Sequence, residues 1–277
     1  CWSLVGSEMC IRDSLKTIES RKVKTYFTNN ETSYTEILKR FKKKSEVIII
    51  APETNNLSSK IYSHVSQNHK VLGTNISSLN TFSSKTKMLM KLRRLNLPIV
   101  ENYKLNLNYK GKIIFKPDTS AGSENTFVTN KNNYEKKKGY LVQKFYNGKK
   151  GSFLMLCKNG KSKVICCNEQ LLNFKKEKIQ QVGCIMGGLE KYRNEIKILA
   201  NKISKNFKGL FGIVGVDIVM ENKKWLIIEI NPRFTSAYSG LNKSYSSLTI
   251  KDITDFYVHK KLNDTQPRFL KKYEYYF

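Results

Sequence analysis

The chain has 277 residues, 40% of them hydrophobic, which is enough for an ordinary core in one large domain or several small ones and excludes whole-chain disorder. Its longest apolar runs are short, such as Val47 to Ala51, far below the roughly 18 residues of a membrane-spanning helix, so an integral helical membrane protein is excluded as well. The formal charge of +28 comes from 50 Lys and Arg against 22 Asp and Glu, but only eight of the cations are arginine. Arginine is the residue whose planar fork reads phosphates and bases, so a dispersed lysine excess is read as compositional bias, and no nucleic-acid partner is expected. Cysteines at 1, 10, 157, 166, 167 and 184 form no C-x-x-C pair, so neither a zinc site nor a disulfide scaffold fits, and a reducing cytoplasm is the simplest compartment.

The first fourteen residues, CWSLVGSEMCIRDS, have neither a helical nor a strand period. They resemble translated sequencing-library adapter, and residues 1–14 are expected to be foreign to the fold, with the true N-terminus missing. Residues 15–82 then alternate strand and helix. Val23 to Phe27 and Val47 to Ala51 read as strands, Ser33 to Lys43 and Leu57 to Gln67 as helices, and Lys70 to Gly73 as a further strand. Buried strands separated by helices predict a small parallel α/β layer. Residues 84–95 carry apolar residues at helical spacing, and Leu97-Pro98 ends that helix. Beyond Pro98 longer strands are expected at Lys112–Lys116, Tyr140–Phe145, Phe153–Cys157, Lys163–Cys167, Ile213–Met220 and Trp225–Ile230, interrupted by one amphipathic helix over about Leu189–Phe207. The whole reads as an α+β body attached to an α/β front piece.

The segment from Gly212 to Arg233 carries the chemistry. Two apolar runs flank the polar loop Glu221 to Lys224, the pattern of a β-hairpin. Period-two alternation puts Gly215, Asp217 and Val219 on one face, and Trp225, Ile227, Glu229 and Asn231 on one face of the second strand. A loop of three or five residues then sets Asp217 opposite Glu229. Two carboxylates facing each other among apolar residues repel and are costly to bury, and a bound cation resolves both costs. Two carboxylates and the Asn231 amide oxygen are hard ligands suited to Mg2+, with Mn2+ also possible. Arg233, fixed behind Pro232, is a bidentate phosphate or carboxylate binder.

With Asp217 and E-I-N-P-R at 229–233, the chain resembles the ATP-grasp superfamily, and the likeness extends over roughly residues 46–245. The resemblance implies an ATP-grasp fold behind a partly truncated Rossmann-like pre-ATP-grasp domain at 15–82, a first subdomain at 83–140 and a second at 141–277. It implies ATP as cofactor. Lys85 and Lys116 would hold its phosphates, helped by the small-residue loop containing Ser120, Gly122 and Ser123. The main chain around Gln143 to Phe145 would read the adenine edge while Phe145 covers its face. Asp217, Glu229 and Asn231 would carry the metal, and Arg233 would stabilise the acyl phosphate. The sequence departs from the family where an acid usually precedes the first lysine, here Ser84, and where an acid follows the hinge glycine, here Lys150. Smaller features, A-P-E at 51–53, N-E-Q at 168–170, Gly187-Gly188 and N-P-R-F-T-S at 231–236, resemble the tyramine:glutamate ligases of methanofuran biosynthesis and their relatives. They imply a carbon–nitrogen ligase acting on a small-molecule carboxylate and amine, and point to Asn168, Gln170 and Thr235 as groups for an amino-acid substrate. Kinase or carboxylase chemistry and a nucleotide-binding regulatory module are the alternatives. The cysteines read as apolar filler.

Overall fold

The continuous apolar run after Glu46 becomes a strand buried on both faces, β2 (Glu46–Ile50), because helices and a second layer cover it from either side. The computed structural model describes residues 3–6, 33–103, 109, 111–120, 122–130 and 138–276. The strand expected at Val23–Phe27 lies outside them. Val47 and Ala51 pack with Ile61 and Val65 of α2 (Leu57–Val65), whereas Ile48 and Ile50 join a core cluster shared with the body of the protein. β2 pairs in parallel with β3 (Lys70–Val71) on one side and with β1 (Ser3–Gly6) on the other. Part of the opening segment, expected to have no strand character, thus runs in register with β2 from Ser3↔Val47 to Gly6↔Ile50. A backbone ladder needs no side-chain period, which is why the sequence pattern gave no warning. The helix predicted over Ser33–Lys43 is shorter, α1 (Ser33–Lys39).

The body is an antiparallel sheet in the order β11-β10-β7-β8-β9-β5-β4-β6, with β12 (Tyr273–Tyr276) added beside β9. β4 (Lys112–Pro117), β6 (Tyr140–Lys144), β7 (Lys150–Lys158), β10 (Gly212–Glu221) and β11 (Lys224–Asn231) fall where the apolar runs place them. β5 (Phe127–Asn130) and β9 (Lys178–Met186) were not foreseen, and β8 (Lys161–Lys175) runs well past Cys167. Their polar residues, among them Gln170 and Gln181, face a cleft and not a core, which erases the alternation that marks a half-buried strand. Helix α3 (Ile76–Phe82), capped by the Asn75 side chain on Ser78 N–H, and helices α6 (Leu241–Ser244) and α7 (Ser247–His259) are likewise additions. One face of the sheet packs on α4 (Lys85–Arg94) and α5 (Arg193–Asn206) through Met88, Leu92, Ile196, Leu199 and Ile203. The other packs on α7 through Ile253, Phe256 and Tyr257.

The two ends of this sheet are stitched together by the segment after Pro98. Ile227 N–H donates to Pro98 O and Val100 N–H to Ile227 O on β11, while Tyr103 N–H donates to Val142 O and Lys144 N–H to Glu101 O on β6. Bridges at Ile99↔Ile227 and Asn102↔Gln143 mark the same strap. The sheet therefore curls around a cleft, and β11 and β6 share it.

The hairpin of β10 and β11 differs from expectation in one respect. Its loop has two residues, Asn222 and Lys223, both at positive φ (48° and 60°), with Glu221 paired to Lys224. A two-residue loop alone would set Asp217 opposite Ile228. A bulge between Asp217 and Ile218 shifts the register by one, so that Ile218 pairs with Ile227 but Asp217 with Glu229. The predicted carboxylate pairing stands, by a different route. The same bulge separates Trp225 and Ile227, which enter the core with Ile230, from Ile228 and Glu229, which line the cleft, so these four do not share the face that strict alternation assigns. Because Lys223 holds a left-handed conformation that favours glycine, Lys223→Gly is expected to raise stability by about 0.5–1 kcal/mol, read as a shift in the urea midpoint at unchanged slope.

Candidate active site

The helix α4 begins at Lys85 because Ser84 caps it, its Oγ accepting from Lys87 N–H at 3.1 Å. Asp118, at the end of β4, completes the cap: Ser84 Oγ donates to its Oδ2 at 2.6 Å and Thr86 N–H to its Oδ1 at 2.7 Å. The acid missing before the first lysine is thus supplied from across the cleft mouth, and these bonds hold the Asp118 carboxyl below its ordinary range in spite of partial burial. The cap aims Lys85 inward. Its Nζ donates to Ser120 O at 2.6 Å and pairs with Glu229 Oε1 at 3.1 Å. Lys116, on β4, is fully buried beside it, and desolvation, only partly countered by Glu229, lowers its ammonium to about 8.

Asp217 faces Glu229 directly across the hairpin. Its Oδ1 accepts from Gln170 Nε2 at 2.8 Å and its Oδ2 from Asn231 Nδ2 at 3.4 Å. Burial, reinforced by the Glu229 charge, pushes the Asp217 carboxyl up to about 7, with Lys116, Arg233 and Lys85 opposing. A half-buried carboxylate in a cleft wall, facing a second carboxylate and with that much unmet need for positive charge, is suited to a cation. Among the described residues no group of three or more His, Cys, Asp and Glu forms a metal cage. Two acids and one amide oxygen instead match a magnesium ion that completes its octahedron with water and phosphate. Of the three predicted ligands, Asp217 and Glu229 line the cleft, while Asn231 touches Asp217 through its Nδ2 and is not among the cleft-lining residues.

One cleft, with a volume of about 110 Å³ and open on one side, brings Lys85, Lys116, Ser120, Ser123, Gln143, Phe145, Asp217 and Glu229 together. Gly122 and Ser123 take left-handed conformations (φ 67° and 61°), with Thr126 N–H closing the turn on Ser123 O at 3.2 Å. Consecutive left-handed residues of this kind make a loop whose N–H groups can converge on an anion. Gly122 itself is exposed at the rim, with open space where a Cβ would sit. Gln143 is buried and donates to Asn102 Oδ1 at 3.4 Å. The expected main-chain reading of adenine changes here, because the N–H groups of Lys144 and Phe145 are already given to Glu101 O and Lys112 O. Phe145 meets Phe174 edge-on at 6.2 Å, and Lys150 Nζ lies 4.8 Å from the Phe145 ring centre, so Lys150 lines the cleft as a half-buried cation.

Three expected residues are placed elsewhere. Asn168 is fully buried, its Oδ1 accepting from Gly187 N–H at 3.1 Å, and serves the turn after β9 and not a substrate. Arg233 does not line the cleft: its Nε and Nη2 are bound to Glu53 at 3.0 Å each. Thr235 packs its methyl over Gly215, where a Cβ would come within 2.6 Å of it. The described cysteines, 157, 166, 167 and 184, are free and buried, and desolvation raises all four thiols.

The raised carboxyl of Asp217 has a consequence for stability. The native protein keeps that proton up to about pH 7, whereas an ordinary aspartate releases it near 3.8, so the ligand-free protein loses stability as the pH rises through this window. Asp217→Asn removes the loss. At pH 8 the ligand-free variant is expected to melt about 2–4 °C above the parent by calorimetry, the shift that ~1 kcal/mol gives in a chain of this size. A lower melting temperature would mean that the bonds to Gln170 and Asn231 outweigh the desolvation of the charge.

Comparison with known proteins follows this geometry. Residues 82–237 match the family described as ATP-grasp domain. The tyramine–L-glutamate ligase of Methanocaldococcus jannaschii is 32% identical over 145 residues, 52% of this chain and 42% of that protein, so the match spans less than half of the relative's length. A crystal structure of an ATP-grasp superfamily protein from Archaeoglobus fulgidus superposes with a TM-score of 0.70 at 21% identity, over 90% of this chain and 74% of that one. The N5-carboxyaminoimidazole synthetase of Staphylococcus aureus, complexed with ADP, superposes with a TM-score of 0.67 at 13% identity, over 98% of this chain and 74% of that one. The fold is the ATP-grasp fold, and the chain belongs to the ATP-grasp domain family.

Proposed function

We propose that the protein is an ATP-dependent carboxylate–amine ligase that forms an amide through an acyl phosphate. The observation that carries this reading is the convergence of Lys85 and Lys116 on the facing pair Asp217 and Glu229 in one cleft. Magnesium held by Asp217, Glu229 and Asn231 would supply charge neutralisation for the ATP phosphates and polarise the transferring group. Lys85 and Lys116 hold the phosphate chain from the side of α4 and β4, and the loop through Ser120, Gly122 and Ser123 folds over it. Gln143 and Phe145 bound the nucleoside end. Phosphoryl transfer depends mainly on positioning and charge, so these residues suffice for the first step. The substrate carboxylate oxygen takes the γ-phosphoryl group and ADP leaves. The amine nitrogen then attacks the acyl carbon, phosphate departs, and the amine proton passes to solvent or to phosphate. No protein nucleophile takes part, in keeping with the raised thiols of the buried cysteines.

The likeness to the tyramine–L-glutamate ligase, together with the N-P-R-F-T-S stretch, supports glutamate as the carboxylate and tyramine or tyrosine as the amine. Gln170, bound to Asp217, is the cleft residue best placed to meet the amino-acid part. We further read residues 15–82 as a Rossmann-like pre-ATP-grasp domain, and 83–140 and 141–277 as the two halves of the grasp. The parallel pairing of β2 with β3 supports the first of these. No described helix is long and apolar enough to cross a membrane, and the free cysteines support a cytoplasmic site of action. A kinase or carboxylase of the same fold is the second reading.

ADP release is expected with ATP, Mg2+ and glutamate only when tyramine or tyrosine is added, with the amide detected by mass. Glu229→Gln is expected to lower this turnover by about 10²-fold or more while the protein stays folded. ADP release that ignores the amine would discard the ligase reading, and near-parental turnover in Glu229→Gln would remove Glu229 from the site.

A further inference from the structure

The E-I-N-P-R stretch carries an ion pair with no task in the chemistry above. Arg233 grips Glu53 with both Nε and Nη2 at 3.0 Å, and its Nη1 donates to Phe234 O at 3.1 Å. Glu53 is 4% exposed and Arg233 8%. A substrate carboxylate could use this fork only by expelling a buried protein carboxylate from it. Glu53 follows Pro52 at the end of β2, and its carbonyl accepts from Asn56 N–H at 3.1 Å, so the N-terminal layer fixes where it stands. On the other side, Arg233 N–H donates to Asn231 O at 2.8 Å across Pro232. That is a three-residue turn whose central φ is locked by the proline ring. Any movement of the Arg233 guanidinium is therefore passed to Asn231, whose side chain touches Asp217.

We infer that Glu53 is a positioning residue for the metal site: through the Glu53–Arg233 fork the N-terminal layer sets the orientation of Asn231 and with it the affinity of the cleft for a divalent cation bound with nucleotide. Arg233 then acts through Asn231 and does not touch the acyl phosphate. The inference rests on the ligase reading only in placing a cation on Asp217, Glu229 and Asn231.

The test uses the full chain and ligands that need no turnover. Binding of ADP is measured by calorimetry with and without Mn2+, and Mn2+ occupancy by electron paramagnetic resonance. Three variants are compared with the parent: Glu53→Gln, Glu53→Asp, and the double variant Glu53→Met with Arg233→Met, which replaces a buried ion pair by apolar groups of similar length and so keeps the fold. Glu53→Gln and the double variant are expected to weaken metal-dependent ADP binding by about tenfold or more, while metal-free ADP binding changes less than twofold; Glu53→Asp falls between. A purely structural pair would lower the melting temperature and the number of competent sites without changing the dissociation constant. That result, or an equal loss with and without metal, overturns the inference. Where Glu53→Gln does not fold, the double variant decides on the same criteria. A parent protein that binds metal and ADP but forms no amide would sink the ligase reading and leave this inference to be judged on binding alone.

Discussion

Two carboxylates held face to face in a half-buried cleft wall are the constraint around which the rest of this molecule is arranged. Asp217 and Glu229 oppose each other on adjacent strands, and in the ligand-free protein they are tolerable only because cations and amides crowd them. Lys85 leans on Glu229, Gln170 and Asn231 donate to Asp217, and Lys116 sits buried behind. Each neighbour arrives from a different element: α4, β8, the end of β11 and β4. An arrangement that apolar residues would stabilise better is kept because its unsatisfied charge is what a magnesium–phosphate ligand would satisfy.

Local geometry then follows from that demand. The bulge after Asp217 corrects the parity that the two-residue turn would otherwise spoil. The cap shared by Ser84 and Asp118 fixes the first residue of α4, so a flexible lysine enters the cleft from a rigid base. The Ser120 carbonyl accepts a hydrogen bond from the Lys85 ammonium, which ties the loop after β4 to the same cation. The acid that the sequence lacks before Lys85 is therefore present in space, contributed by a residue more than thirty positions later in the chain.

Much of this was legible in the sequence, and the illegible part has a physical pattern. The strands that bury both faces, such as β2 and β10, announce themselves as apolar runs, whereas the opposition of Asp217 and Glu229 followed from alternation with a loop of three or five residues and stands only because a bulge restores that parity. β9 and the far half of β8 could not, because a strand that lines a polar cleft carries glutamines where the pattern needs apolar residues. Arg233 shows a second limit. Its identity and its place after Pro232 were correctly read as a fork awaiting an anion, but the nearest anion is Glu53, which lies 180 positions away in the chain and is invisible to any local argument. The main-chain donors near Phe145 failed for the same reason, since their acceptors come from Glu101 and Lys112.

The strap between Pro98 and Tyr103 touches β11 at one end and β6 at the other. Both of those strands lie after it in the chain, and β11 comes last but for the C-terminal elements. The Pro98–Val100 end of the strap therefore has nothing to pair with until the hairpin that carries Asp217 and Glu229 has formed, whereas its Glu101–Tyr103 end can pair with β6 earlier. Contacts spanning such sequence distances close a large loop before they gain anything, and they set the pace of folding. Closure of the sheet is in this sense the last stitch, and during synthesis the Pro98–Val100 end must wait with its backbone groups on water until β11 has emerged.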